Sequence, residues 1–195
     1  MPESASDNLL IAAGADAFGD GAHPSTRGVL EALAMIDPSV FRPRIACDIG
    51  AGSGILSLAL VRKFACSVVA ADIARSAVAA IRANAARNAI ACLPLPPGGE
   101  AAAGGILPLH ADGFTHPELA AHAPYDLIVM NILPVPLRQL AGDAHAHLAR
   151  GGVLILAGIQ EANEAMIIDS YQSFELELTA RLCLDGWVTL VWQKP

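Results

Sequence analysis

From residue 45 onward, short apolar runs of the chain alternate with longer segments of helical periodicity. The short runs have the length and apolar content of strands that are buried on both faces. Each run is followed by enough chain for a crossover helix, and this alternation is typical of an α/β fold with a parallel sheet. The runs that predict strands are residues 45–49, 67–72, 106–111, 126–131 and 153–159.

The segments between these strands predict helices, because they are rich in Ala and Leu, which favour the helical state. One more helix is expected before the first strand. It should end near Ile36, since the next residue, Asp37, precedes a proline and is pushed out of the helical region. The predicted helices span residues 26–36, 55–64, 75–88, 135–148 and 161–171.

The last part of the chain changes to an alternation of apolar and mostly polar residues, which predicts a strand between residues 174 and 184. The pair Asp185-Gly186 then favours a tight turn, and residues 187–192 form a second β-rich run. We therefore predict a mainly parallel seven-stranded sheet that has helices on both faces and ends in an antiparallel hairpin.

Composition supports a compact domain and narrows the classes of function. Of the 195 residues, 54% are hydrophobic and 16% are charged, which suits a sheet covered on both faces. A net charge of -7 argues against a protein that binds the phosphates of nucleic acid. No apolar stretch is long enough to span a membrane, and the acidic N-terminus does not resemble an export signal. We expect a cytoplasmic protein with no membrane partner.

The cysteines and histidines show no metal-binding pattern. Cys47, Cys66, Cys92 and Cys183 lack metal-ligand spacing, and we expect them to be small core residues. The histidines do not combine with cysteines or carboxylates at the spacing of a metal site. We therefore expect no metal.

The segment DIGAGSG, residues 48–54, lies between the first strand and the helix that follows it. Its three glycines allow the backbone to turn sharply beside a ligand, and we expect the backbone amides of this loop to be free for polar groups of that ligand. A dinucleotide site prefers glycine where this chain has Ile55, because the helix must approach the pyrophosphate closely. The segment therefore favours a nucleoside cofactor without phosphates.

Two aspartates follow strands at the sheet edge where open α/β folds bind their ligands. Asp72 ends the second strand about twenty residues after the glycines, where a carboxylate can accept hydrogen bonds from both hydroxyls of a ribose. The same residue can cap the helix that begins near Ala74. Asp112 follows the third strand and can accept from an adenine amino group, or form a turn with Gly113.

Near the N-terminus, AFGDGAHPST at residues 17–26 precedes a helix whose first amides are free for a carboxylate or for a cap. Ser25 or Thr26 is the expected cap. His23 alone is more typical of a surface or packing histidine than of a catalytic base.

After the fourth strand, NILP at residues 131–134 offers a place for an amine. The side-chain oxygen of Asn131 and a neighbouring main-chain carbonyl can accept the hydrogens of an amine and aim its lone pair. The alternative is an asparagine that closes a strand before a turn at Pro134.

Together and in this order, the motifs resemble the PrmA-type methyltransferases, which methylate amino groups of a large-subunit ribosomal protein. The resemblance covers the chain from Ala17 onward. It implies a Rossmann-like methyltransferase fold, S-adenosylmethionine as the cofactor and an enzyme of protein methylation. The matching segments are AFGDGAHPST, DIGAGSGILSLAL, AADIARSAVAAIRANAARN, DLIVMNILPVPL, LARGGVLILAGI and GWVTLVW.

The resemblance also implies roles for individual residues. Asn131 and the carbonyl of Ile132 would receive the substrate amine, so these two are the expected catalytic residues. The residues expected to bind the cofactor are Phe18, Gly19, His23, Thr26, Asp48, Gly50, Gly52, Gly54, Asp72, Ile73, Asp112 and Asn131.

The chain also departs from the family pattern. Asp20 stands where a threonine is common, and Pro134 replaces a smaller residue. We expect residues 1–16 to be a tail, residues 17–195 to be one methyltransferase domain, and residues 94–105 to be a loop insertion. We expect no counterpart in that tail of the family's N-terminal domain, which by the resemblance captures the ribosomal protein. The ribosomal substrate is therefore not carried over directly.

Other functions stay open at this point. The same fold can serve a small-molecule methyltransferase or a module that binds S-adenosylmethionine without catalysis. A nicotinamide-dependent oxidoreductase is a further alternative, and Ile55 argues against it. The sequence does not indicate an oligomeric state or separate a protein acceptor from a small-molecule one.

Overall fold

A computed structural model describes residues 9–11, 21–92, 94 and 104–195 of the protein. Within these residues, a seven-stranded sheet lies between two hydrophobic clusters, one on each face. The strands are β1 (Ile45–Ile49), β2 (Ser67–Asp72), β3 (Ile106–His110), β4 (Tyr125–Asn131), β5 (Leu148–Gln160), β6 (Glu177–Leu184) and β7 (Trp187–Gln193).

The strands lie in the order β3-β2-β1-β4-β5-β7-β6. The first five pair in parallel, whereas β7 runs antiparallel to both β5 and β6. This confirms the predicted α/β fold with its terminal hairpin. The strand order reverses between β1 and β4, and open α/β sheets bind ligands at the carboxyl ends of the strands at such a point.

Helices α1 to α3 contribute to the core on one face of the sheet, and α4 to α7 contribute to the core on the other face. A short 3-10 turn, Glu161–Asn163, precedes the last helix. The helices are α1 (Pro24–Met35), α2 (Ile55–Phe64), α3 (Arg75–Arg87), α4 (Pro117–His122), α5 (Pro134–Gln139), α6 (Ala141–His147) and α7 (Glu164–Gln172).

Strand β4 shows why the strand sequences are continuously apolar. Leu127 and Val129 belong to the core on the α1 side, while Ile128 and Met130 belong to the core on the opposite side. All four are 0% exposed, because successive side chains of a strand point to opposite faces and both faces are covered.

The helix predicted at residues 135–148 is divided in two. Leu140 has a ψ of 4°, which leaves the helical region and separates α5 from α6. Its side chain lies so close to Gly113 that a Cβ added there would be 2.7 Å from Leu140 Cδ2. Helix α4 is not predicted by the sequence, since its six residues are too short to show a helical period.

Two strands begin three or more residues away from the predicted start. β5 begins at Leu148, which pairs with Tyr125 ahead of an irregularity, so the strand starts before Gly151 and Gly152. β6 begins at Glu177 and not at residue 174, because Glu175 has a φ of 58° and belongs to a turn.

The expectation that all four cysteines are core residues is wrong for Cys183. Cys47 and Cys66 are buried and Cys92 is half-buried, but Cys183 is exposed on β6 at the edge of the sheet. Most of the predicted loop insertion at residues 94–105 lies outside the described residues.

A buried carboxylate joins β1 to α2. Asp48 is 1% exposed, and its Oδ2 accepts a 2.6 Å hydrogen bond from the hydroxyl of Ser57 in the first turn of α2. Its Oδ1 has no hydrogen-bond partner among the described residues. Burial raises the pKa of Asp48 to about 6, although the hydroxyl and the backbone amide of Ser57 act in the opposite direction.

We expect Asp48→Asn to flatten the pH dependence of stability. The Asp48 carboxyl binds its proton more tightly in the folded chain than in the unfolded one, so the stabilisation that it provides is lost as the pH rises through about 6. The free energy of unfolding falls by about 3 kcal/mol over this range, and it should not fall in this way when residue 48 is an asparagine, which does not titrate. Urea unfolding between about pH 4 and pH 8 measures the difference.

Asp37→Asn is a matched control. The Asp37 carboxyl is exposed and accepts a 2.8 Å hydrogen bond from the backbone amide of Ser39, which holds its pKa below the ordinary value. The stabilisation from this hydrogen bond is lost only as the pH falls below the ordinary pKa of the carboxyl, so Asp37→Asn should lower stability by a nearly constant amount between about pH 4 and pH 8. Parallel stability curves for Asp48→Asn and the wild-type protein would show that Asp48 does not have this role.

Candidate functional site

A cavity of about 600 Å³ opens at the carboxyl ends of the parallel strands, where the strand order reverses. Its walls come from the loops after β1, β2, β3 and β4, from the start of α1 and from the first residue of β7. The cavity therefore lies where an open α/β sheet binds its ligand. Nine predicted site residues line it, namely His23, Thr26, Gly50, Gly52, Asp72, Ile73, Asp112, Asn131 and Ile132.

The other predicted site residues do not line this cavity or are not described. Asp48 lies buried beneath the glycine loop, and Gly54 packs against α3. Phe18 and Gly19, and also Asp20, lie outside the described residues.

The glycines at positions 50 and 54 are required by contacts within the protein. Both have a left-handed backbone, with φ of 73° and 82°. A Cβ on Gly50 would lie 2.2 Å from Ile132 Cγ2, and a Cβ on Gly54 would lie 3.1 Å from Ile81 Cγ1 of α3. The loop can therefore pack against the segment after β4 and against α3 only without these side chains.

The backbone amides at the start of the loop point into the protein. Those of Gly50 and Ala51 donate to the carbonyl oxygen of Ala71, at 2.8 and 3.1 Å, and that of Gly52 donates to Asp72 Oδ2 at 2.8 Å. The expectation of free amides is wrong for these three, because the end of β2 accepts all of them. These three amides are therefore not free to donate to a ligand, and this part of the loop contributes to binding mainly through its shape.

Asn84 is a buried polar residue of α3 that sequence reasoning missed. It is 1% exposed, and its Nδ2 donates to the carbonyl oxygen of Ser53 at 2.9 Å. The contact spans 31 residues of sequence, so no local signal indicates it. Asn84 holds the glycine loop against α3.

Asp72 lies at the end of β2 with both carboxylate oxygens engaged. Oδ2 accepts from the Gly52 amide, and Oδ1 accepts from the Ala74 amide, each at 2.8 Å. The N-cap of α3 is Ala74 itself, so Asp72 supports the start of the helix from outside it. A carboxylate oxygen can accept more than one hydrogen bond, so this arrangement leaves acceptor capacity facing the cavity.

Ile73 and Asp112 form the neighbouring part of the wall. Ile73 is 66% exposed, and its carbonyl oxygen lies 3.0 Å from His110 Nε2, which must donate the proton of that bond. Asp112 begins a turn, because its carbonyl oxygen accepts from the Thr115 amide and Gly113 has a φ of 54°. The turn expected at Asp112 therefore forms, and Asp112 also lines the cavity.

His23 is the N-cap of α1, so neither Ser25 nor Thr26 is the cap. Its Nδ1 accepts from the Ser25 amide at 3.2 Å and lies 2.8 Å from the Ser25 hydroxyl. The neutral ring therefore carries its proton on Nε2. The ring also packs edge-on against Trp187, with centroids 4.6 Å apart.

Asn131 connects the end of β4 to α1. Its Nδ2 donates to Thr26 Oγ1 at 3.3 Å, which leaves Oδ1 as the acceptor at the cavity wall. Helix α5 begins directly after this segment with Pro134 at its first position, so Pro134 starts a helix here and not a simple turn.

Several cavity residues have no role in the sequence-based prediction. Trp187 reaches the cavity because the terminal hairpin returns beside β5, which no local pattern of the sequence shows. Leu133 is the N-cap of α5 and is 70% exposed. The remaining members of this group include Pro136, Leu140 and Gly158.

Within the described residues, no group of three or more His, Cys, Asp or Glu side chains is arranged to hold a metal ion. No helix among those residues is both long enough and apolar enough to cross a membrane.

Comparison with known proteins gives the same family from sequence and structure. The family described as ribosomal protein L11 methyltransferase (PrmA) matches residues 2–195. Ribosomal protein L11 methyltransferases from Rhodopseudomonas palustris and Mesorhizobium japonicum are 34% and 38% identical over 91% and 89% of this chain. The matched region is 56% of each relative, so the chain spans about half the length of these proteins.

A crystal structure of a ribosomal protein L11 methylase from Lactobacillus delbrueckii subsp. bulgaricus superposes with a TM-score of 0.72 at 25% identity. The match covers 91% of this chain and 81% of that one. The fold is therefore the Rossmann-like fold of methyltransferases. Because the family model matches almost the whole length of the chain, the chain belongs to the ribosomal protein L11 methyltransferase (PrmA) family.

Proposed function

We propose that this protein binds S-adenosylmethionine in the cavity and transfers its methyl group to an amino group of a protein. The observation that carries the proposal is the placement of Asp48. Its buried carboxylate lies at the first turn of α2, beneath the loop over which dinucleotide-binding folds hold a pyrophosphate. A second anion there would be repelled, whereas a cationic nucleoside would be attracted.

The charges of the cavity wall support a cationic ligand. Of the described residues that line it, Asp72 and Asp112 are carboxylates and none is a lysine or arginine. Binding of a phosphate group normally relies on such cations or on free backbone amides, and the first amides of the glycine loop are engaged. The residues present therefore fit a sulfonium nucleoside better than a phosphorylated one.

Individual residues would hold different parts of this cofactor. Asp72 would accept from the ribose hydroxyls, and Ile73 and Asp112 would contact the adenine. Gly50 and Gly52 would form the part of the cavity wall beneath the cofactor.

At the other end of the cavity, His23 and Thr26 would border the methionine portion. When bound, S-adenosylmethionine supplies an electrophilic methyl group.

The acceptor amine would bind to Asn131 Oδ1 and the carbonyl oxygen of Ile132. Two acceptors can take two hydrogens of the amine and so direct its lone pair, which lowers the barrier mainly through orientation. His23 is not a base in this arrangement, because Nδ1 is engaged at the α1 cap. A lysine amine, with an ordinary pKa of about 10.4, would lose its proton to solvent on burial.

The acceptor itself is proposed from the family. The relatives are named for ribosomal protein L11, which makes an amino group of that protein the first candidate. Purified protein can be incubated with tritiated S-adenosylmethionine and either recombinant bacterial L11 or a protein-free cell extract. Label in L11 supports a protein acceptor, and label only in the small molecules of the extract contradicts it.

Calorimetry tests the cofactor. We expect S-adenosylmethionine and S-adenosylhomocysteine to bind, and NAD to give no heat at the same concentration, because its pyrophosphate would meet the carboxylates of Asp72 and Asp112 and no lysine or arginine in the described wall. Binding of NAD without binding of S-adenosylmethionine would refute the proposed function.

We expect Asp72→Ala to weaken the binding of S-adenosylhomocysteine by about 10- to 150-fold, because a hydrogen bond to a charged group contributes about 1.5 to 3 kcal/mol. The 2′-deoxy analogue of S-adenosylhomocysteine shows whether Asp72→Ala acts by removing a contact with the ribose or by loosening the glycine loop. Wild-type protein should bind that analogue less tightly than the parent, and Asp72→Ala should bind the two alike. Equal discrimination by both proteins would exclude a ribose contact.

Asn131→Ala should reduce kcat by about 100-fold and change the Kd of S-adenosylmethionine by less than about threefold, because the acceptor that it removes orients mainly the amine. Thr26→Val removes the hydroxyl that fixes Asn131 and should give a smaller loss of kcat. Thr26→Ser keeps that hydroxyl and is its control. Unchanged turnover of a methylated acceptor by Asn131→Ala would show that the amine binds elsewhere.

A further inference from the structure

Strand β5 has an irregularity beside the cavity. Its pairing with β7 shifts between Leu156 and Ile159, so Ala157 and Gly158 form a bulge. Gly158 has a φ of 81° and lines the cavity, while Ala157 pairs with Asn131 of β4. Bulges next to functional sites commonly change the direction of a neighbouring chain segment.

The backbone of Ile132 lies directly against Gly158. A Cβ added to Gly158 would be 2.3 Å from the carbonyl oxygen of Ile132, 2.9 Å from its carbonyl carbon and 3.1 Å from its nitrogen. These are backbone atoms, which cannot rotate away as the end of a flexible side chain can. Any side chain at position 158 must therefore displace Ile132 and cover its oxygen.

The other side of Ile132 is held by a second glycine. A Cβ added to Gly50 would lie only 2.2 Å from the Cγ2 atom of Ile132. Cγ2 is attached to the branched β carbon, so it has little freedom to move. Ile132 is thus enclosed between a glycine of the cofactor loop and a glycine of the β5 bulge.

We propose that Gly158 is a positioning residue for the acceptor amine: its missing side chain sets the place of the Ile132 carbonyl oxygen and keeps that oxygen open to the cavity. The inference rests on the proposed function, because it concerns the amine that this function requires. It adds to that function a residue of β5 that lines the same cavity.

Gly151 provides a matched control within the same strand. It also has a left-handed backbone, with a φ of 73°, but a Cβ added there would meet nothing within 4 Å. Alanine at either position therefore has a similar unfavourable backbone conformation. Only alanine at position 158 also pushes on Ile132.

The experiment compares two ligands by calorimetry. One is S-adenosylhomocysteine, and the other is an analogue in which nitrogen replaces sulfur and carries a 2-aminoethyl arm, so that an amine enters the acceptor site. We expect wild-type protein to bind the amine analogue at least about tenfold more tightly than S-adenosylhomocysteine, through bonds to Asn131 and Ile132.

Gly158→Ala should lose this preference and bind S-adenosylhomocysteine within about threefold of the wild-type protein, since a displacement of about 1 Å is enough to break such alignment. Gly151→Ala should keep the preference, although its left-handed backbone also lowers its thermal stability. A preference retained by Gly158→Ala would overturn the inference, as would a wild-type protein that does not favour the amine analogue.

If Gly158→Ala does not fold, Ile132→Ala tests the same carbonyl from the other side. This variant keeps the carbonyl group at position 132 but removes the side chain that packs against Gly50 and holds the backbone in place. The preference for the amine analogue should therefore fall again. An unchanged preference would contradict the inference. Failure of wild-type protein to bind either ligand is a different result, because it refutes the proposed function itself.

Discussion

The carboxylate of Asp48 beneath the glycine loop is the interaction on which the character of the site depends. It lies where the partial positive charge at the N-terminal end of α2 favours an anion, and Ser57 fixes it there. The protein therefore supplies from its own chain the negative charge that phosphate-binding folds take from their ligand. The raised pKa of Asp48 reflects the cost of burying that charge, and a cation bound above the loop would reduce this cost.

A second constraint is the close approach of backbone segments around the cavity. Gly50 and Gly158 enclose Ile132, and Gly113 receives the side chain of Leu140. These contacts join the loop after β1 and the bulge of β5 to the segment after β4, and the loop after β3 to the kink between α5 and α6. The cavity is thus shaped by where the chain lacks side chains as much as by the side chains that line it, and this is why one methyl group can be expected to alter it.

The elements that the sequence predicts best are those whose signal is local and repeated. β1 and α2 begin and end at the predicted residues, because a run buried on both faces and a helix rich in Leu and Ala each produce a clear period. The break at Leu140 and the early start of β5 at Leu148 depend on contacts with Gly113 and Tyr125, which lie far away along the chain. His23 caps α1 with a ring nitrogen, so a search for hydroxyl or carboxylate caps does not find it.

By itself, the sequence determined the α/β alternation, the terminal hairpin, the family and nine residues of the cavity wall, because these follow from hydrophobic period and from motifs at strand ends. Only the tertiary structure decided the direction of the loop amides, the hydrogen bond between Asp48 and Ser57 of α2, and the neighbours of Ile132. The physical reason is that hydrogen-bond direction and close packing depend on atoms from separate strands and helices. Those atoms meet only when the sheet is assembled.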